Sequence, residues 1–284
     1  MTQIIHDVDE SLKELMRTRY RKQRNGVFLF GICWYVAVGL LFYLHLDFML
    51  KLDDFLYIIF ALPIVVWTSW RGWIKAKVAD LFMQQFATAN GFTYEAVGIA
   101  KGMPGTMFKL GHSKEVEDVV SGIYETYPVR LFTYHYTVGS GRSSRTYDRM
   151  VFETTLPTKL HRILLRSRNQ KLSSGAFAGF DHPNEIKLGA PFDSAFELGA
   201  DKEYEIEALE VVTPQFMQYL LDLPLRFSIE LVNDKLYIYS DKVITKGYEL
   251  RYFFDIAREV TTHLAPIATR LKDDVAAMDQ FYKK

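Results

Sequence analysis

Seven histidines, one cysteine and a run of arginines are the residues that could carry chemistry in this 284-residue chain. A metal site needs ligands that a short element can aim at one point, as His-x-x-x-His does on a helix. His6, His45, His112, His135, His161, His182 and His263 show no such spacing. His182 and Glu185 stand three apart in a proline-containing loop, and that pair closes no coordination shell. The only cysteine, Cys33, lies in a long apolar run. It excludes an internal disulfide and a thiolate site in the polar part of the chain. Lys101-Gly102-Met103-Pro104-Gly105-Thr106 has the glycines of a phosphate cradle but neither the Gly-Lys-Ser/Thr ending nor the spacing of a P-loop, so it reads as a turn. No Gly-x-Ser-x-Gly, kinase or dinucleotide signature is present. No catalytic, cofactor-binding or metal-binding residue is expected, and no cofactor.

What remains is basic. Residues 127–138 and 145–156 are rich in β-branched and aromatic side chains and flank a Gly/Ser-rich turn, the pattern of a hairpin. If paired positions sum to 283, Arg130 faces Glu153, His135 faces Asp148, Phe132 faces Val151 and Tyr136 faces Tyr147. Tyr134 then lies opposite Arg149. Opposite charges and aromatic pairs across strands each contribute roughly 0.2–1 kcal/mol. His135 and Asp148 have the types of a base and its orienter, but no nucleophile is placed beside them, so they read as a structural pair. Arg142 and Arg145 at the tip, with Arg149 below them, form the candidate contact for an acidic partner or a lipid headgroup. Lys159, Arg162, Arg166, Arg168 and Lys171 follow, and in a strand such charges keep an edge soluble.

The elements that would position these residues fall into an anchor and a domain. Residues 27–46 hold no charge, and residues 55–70 are uncharged and interrupted only by Pro63. About 20 apolar residues cross a bilayer. The expectation is a two-helix transmembrane hairpin, with the lipid bilayer as partner through residues 27–70. Arg17, Arg19, Arg21, Lys22 and Arg24 precede it, and Arg71, Lys75 and Lys77 follow it. Basic flanks stay cytoplasmic, which places the chain in the cell membrane with two spans and both termini cytoplasmic. Residues 1–24 then form an N-terminal segment with an amphipathic helix on Ile4, Val8, Leu12 and Met16. Residues 25–72 are the hairpin, and residues 73–90 continue the second helix to a stop at Asn90-Gly91. Residues 91–284 form a cytoplasmic α+β domain of antiparallel sheets and packed helices, divisible at 172 and 185.

Within that domain, residues 92–100 and 119–125 read as strands, and 186–198 and 204–212 as short extended segments. Thr213-Pro214 opens a helix to Leu221. Residues 226–231 and 236–240 read as a second hairpin about Asn233-Asp234. Residues 248–265 are helical, Pro266 ends or kinks the helix, and a last helix runs to about Met278. Ten of the 34 Lys/Arg and seven of the 34 Asp/Glu lie at or before Lys77, so the remainder carries a net charge of −3. That is not the footprint of a nucleic-acid binder.

Ile186-Lys187-Leu188 with Phe192 and Phe196-Glu197-Leu198, then Glu207-Ala208-Leu209, Thr213-Pro214-Gln215-Phe216-Met217 and Leu236-Tyr237-Ile238, resemble the C-terminal part of a bacterial membrane-anchored family of unknown function, sometimes labelled galanin-like. The chain departs from the family pattern at Gly189, where the pattern has Glu, and at Leu209, where it has Arg. The resemblance implies a paired-helix anchor and a cytoplasmic domain, and it carries over no catalytic residue. Two function classes follow. One is a non-enzymatic interaction or scaffold domain with a protein partner at the membrane face. The alternative is a membrane-bound enzyme with a spatially assembled site, or a headgroup- or ligand-sensing domain.

Overall fold

The aromatic, β-branched run that follows the Gly/Ser turn becomes the spine of the sheet. The computed structural model describes residues 20–43, 53–169, 183–224 and 227–282. Among these, seven strands pair antiparallel in one sheet: β1 (Thr93–Val97), β2 (His112–Tyr124), β3 (Tyr127–Val138), β4 (Arg145–Ser167), β5 (Pro183–Ile186), β6 (Phe196–Asp201) and β7 (Ser228–Tyr239). The helices are α1 (Arg21–Tyr43), α2 (Asp53–Ala89), α3 (Phe192–Ala195, a single turn), α4 (Glu205–Val211), α5 (Pro214–Asp222) and α6 (Gly247–Tyr282). β4 pairs β3 through its first half, β6 through its last residues and β7 along most of its length.

The chain divides into two compact units. One holds residues 86–244 and 248–282 and contains the whole sheet, and the other holds residues 20–85 and Thr245–Gly247. In the sheet unit the two faces are covered differently. On one face Phe152 meets Phe253 and Phe254 of α6 edge-on, and Phe254 stacks on Phe92 at 5.8 Å. On the other face Phe132, Tyr134, Tyr136, Val151, Tyr237 and Tyr239 are covered by Met107, Phe108 and Leu110 from the segment between β1 and β2. This segment, residues 98–111, is called the strap below. The β3–β4 register follows the 283 rule throughout, with Arg130 opposite Glu153, Phe132 opposite Val151 and His135 opposite Asp148.

In the second unit, Phe30 lies 6.1 Å from Trp34 and Trp67 5.5 Å from Trp70, with Arg71 over the Trp67 ring. The expected transmembrane hairpin is corrected here. Among the described residues no helix is long and apolar enough to cross a membrane. The placement in the cell membrane with two spans and cytoplasmic termini loses its basis with it. α1 opens on the charged Arg21, Lys22 and Arg24, and α2 has Asp53 and Asp54 before its apolar run, Pro63 inside it and Arg71 after it.

Other expectations are settled locally. α2 stops at Ala89 and Gly91 has φ +70°, the left-handed closing residue foreseen. Thr213 caps α5 by accepting from Phe216 N at 3.3 Å. Residues 205–211, expected to be extended, are helical: Glu205 and Glu207 occupy the first turn, and Ala208 and Val211 are buried three apart. Pro266 lies inside α6 and does not end it. The second hairpin does not form. β7 is one continuous strand on β4, and Asn233 (φ +56°) takes the left-handed conformation within it. The matching irregularity in β4 lies between Thr155 and Leu160, where Pro157 has no N–H to give a ladder. The N-terminal amphipathic helix and His6, His45, Lys171 and His182 lie outside the described residues.

Candidate functional site

The strap is tied down at two points. At its start, Gly98 N donates to Val116 O at 2.8 Å. A Cβ at Gly98 would come within 2.6 Å of the Val116 and Val119 side chains, and one at Gly105 within 2.4 Å of the Tyr239 hydroxyl. The strap therefore lies on the sheet more closely than other residues would allow. Its second tie is Glu230 on β7, which is fully buried. Thr106 N donates to both carboxylate oxygens at 2.9 and 2.8 Å, and its hydroxyl donates at 2.6 Å. The Tyr239 hydroxyl donates at 2.7 Å and Arg162 Nη1 at 2.6 Å. Arg162 Nη2 also reaches Pro104 O at 3.0 Å. Burial, reinforced by the Glu230 carboxylate, pushes the Tyr239 phenol well above its ordinary range, so it stays a donor. A buried carboxylate is tolerated only with this degree of pairing.

Between the two ties the strap spans a cleft of about 490 Å³. The cleft stands on a row that crosses five strands: Thr93, Ser121, Arg130, Glu153 and Tyr237 are successive cross-strand partners. Glu153, 7% exposed at the side chain, is the fourth residue of this row. Arg130 Nη1 approaches one of its oxygens at 3.3 Å and Lys235 Nζ the other at 3.4 Å. The two cations are not buried with it, their side chains being 35% and 30% exposed. Arg130 lies 5.3 Å over the Phe132 ring, and Lys235 also donates to Thr155 Oγ1 at 2.9 Å. Glu95 and Lys101 stand at the rim, and Ile99, Met103, Pro104 and Val119 give the cleft an apolar wall. Burial, then Glu153, raise the Tyr237 phenol, which leaves a neutral ring at the base.

The arginines expected at the hairpin tip separate. Arg142 is exposed in the one-turn helix Gly141–Ser143 and Arg145 is exposed at the first position of β4. Arg149 is buried, donates to Asp241 O and lies 5.5 Å over the Tyr147 ring. It borders a second cleft of about 490 Å³ with Asp148, Asp241 and Lys242. The basic residues further along β4 form no free face. Arg162 binds Glu230, Arg166 binds Glu197, and Arg168 binds Glu185 at 2.7 Å and the Asp193 carbonyl. His135 Nδ1 meets Asp148 at 2.7 Å and its Nε2 lies 3.3 Å from Glu117, a cross-strand pair with no nucleophile placed at it. Among the described residues no group of three or more His, Cys, Asp or Glu side chains could hold a metal ion.

Sequence reasoning found the Arg130–Glu153 pair and the 101–106 loop separately but did not join them. Lys235 escaped because folding β7 back on itself removes it from β4. The signal that could have found it was Pro157, which favours a break in β4 over a second turn.

No protein-family model matches the chain, and no curated protein matches it. Among solved structures it is similar to the mycobacterial trehalose monomycolate transport factor A, TtfA, at 13% identity and a TM-score of 0.47, over 66% of this chain and 93% of that one.

Proposed function

We propose that the sheet unit is a binding module and that the cleft beneath the strap is where it takes its ligand. The observation that carries this reading is the mismatch in burial at Glu153: the carboxylate is buried and its two cations are partly open to the cleft. Glu230 buries its arginine with it, and Glu197, whose Arg168 is as open as Arg130, lines neither of the two clefts. Here the carboxylate holds Arg130 and Lys235 in place while part of their donor capacity stays open to the cleft. The volume lies in the range of small-molecule sites, about 300–1,000 Å³.

The test is a titration of the isotopically labelled full chain with anionic, neutral and cationic fragments, read from amide chemical shifts. Shifts gathered at Lys101, Gly102, Arg130, Glu153 and Lys235 are expected. Shifts confined to Arg142 and Arg145 would move the site to the hairpin tip and overturn the cleft. A fragment consumed during the titration would replace binding by catalysis.

A further inference from the structure

We infer that the cleft is a site for a small organic monocarboxylate, its carboxylate seated among Arg130, Lys235 and Lys101 and its apolar body against Ile99, Met103 and Val119. This rests on the binding-module reading and adds the chemistry of the ligand.

Charge comes first. The cleft is lined by Lys101, Arg130 and Lys235 against Glu95 and Glu153, an excess of one positive charge. A carboxylate cancels that excess. A phosphate monoester, carrying about −1.5 to −2, would leave the cleft negative. Donors come second. A guanidinium offers five N–H groups, and Arg130 directs Nη1 at Glu153. An ammonium offers three, and Lys235 directs its own at Glu153 and Thr155. Lys101 has no partner among the described residues and lies exposed in the turn of the strap. The three cations thus converge with unused donors, and two are already oriented by Glu153. The apolar wall is the third argument. The Ile99, Met103, Pro104 and Val119 side chains and the neutral Tyr237 ring suit a hydrocarbon or aromatic body better than a fully polar ligand. The strap closes one side, which favours a free small acid over an acidic residue on a protein surface.

Calorimetric titration of the full chain with butyrate, hexanoate and 4-phenylbutyrate, each beside its primary amide, and with phenyl phosphate, tests the inference. The acids should bind, with affinity rising with the size of the body, and each amide should bind about tenfold more weakly for loss of the charge-assisted hydrogen bonds. Lys101→Gln changes only an exposed side chain and should weaken the acids about threefold with no change in the melting temperature. Arg130→Lys keeps the charge on Glu153 and should weaken them further. Equal affinity for acid and amide would overturn the carboxylate assignment and leave the binding module standing. Tighter binding of phenyl phosphate than of any acid would overturn the charge class. Binding untouched by both variants would place the acid elsewhere. If none of the acids binds while neutral fragments still shift the cleft amides, the inference fails alone. If no fragment shifts them, the binding-module reading fails with it.

Discussion

Glu230 and Glu153 sit under the same strap, on adjacent strands, each buried and each facing an arginine. They differ in what surrounds the arginine. Arg162 is 11% exposed at the side chain and spends its donors on Glu230, Thr106 and Pro104, so that every partner is protein. Arg130 is three times as exposed and shares Glu153 with a lysine. The first arrangement closes on itself and fastens the strap. The second is closed below and open above. The difference shows that ion-pair geometry alone does not separate a structural carboxylate from one that organises a site. The exposure of the cation together with a cleft beside it does, because a cation with donors left over is the part that a ligand can use.

The largest effect should come from breaking the closed pair. Glu230→Ala removes the acceptor for Thr106, Tyr239 and Arg162 at once and leaves a nearly buried guanidinium without its carboxylate. The expected cost is about 3–5 kcal/mol, the range for removing one partner of a buried pair. The denaturant midpoint measures it. A loss below about 1 kcal/mol, the range of exposed pairs, would mean that the two carboxylates are alike and that the comparison is empty. The strap should also loosen, seen as faster amide exchange at Thr106 and Phe108.

Much of the first half of the sheet was legible in the sequence, and the reason is local. β3 and β4 are joined by a short Gly/Ser turn, so one register number orders every pair between them, and Arg130–Glu153 and His135–Asp148 follow from it. β7 was misread for the same local reason. Asn233-Asp234 has the composition of a tight turn, and only a partner eighty residues earlier in the chain shows that the strand runs straight through. That error hid Lys235, and with it half of the candidate site. Arg162 and Glu230 could not be paired from sequence at all, because nothing local joins β4 to β7. The apolar run of α1 and α2 misled in the opposite direction. Its length along the chain suggests a membrane span, whereas among the described residues no helix is long and apolar enough to cross a membrane.

A half-buried titratable group sharpens the contrast. His263 on α6 stacks on Phe216 of α5 at 4.4 Å, and its Nε2 is buried with no partner among the described residues. Burial lowers its pKa from 6.5, opposed by a hydrogen bond with the Val211 backbone. Because the folded pKa is the lower one, the unfolded chain binds more protons near pH 6, and the linkage runs against the fold there. The contribution is complete above about pH 6.5 and is lost as pH falls through the lowered folded value. Denaturant midpoints measured from pH 7.5 down to about 5 should fall, and His263→Gln should flatten that slope while lowering stability at neutral pH through lost stacking. An unchanged slope in the variant would show that another group carries the dependence.

The smallest effect on stability should come from Glu153→Gln, and it is the one that best isolates the open pair. The amide keeps the shape of the side chain and can still accept from Arg130 or Lys235. Both cations are already partly exposed, so water can take over the interaction that the carboxylate gives up. Exposed ion pairs contribute about 0–1 kcal/mol, and the shift in denaturant midpoint should lie within that range. The effect on the cleft should be opposite in sign to the effect on the fold. Removing the negative charge raises the excess from one to two positive charges and frees the donors that faced Glu153. Phenyl phosphate should therefore gain more affinity than hexanoate, because the altered cleft now matches a dianion. If Glu153→Gln destabilises the fold as severely as Glu230→Ala, Glu153 is a structural carboxylate. If it leaves the preference between the two anions untouched, the charge balance of the cleft does not select its ligand.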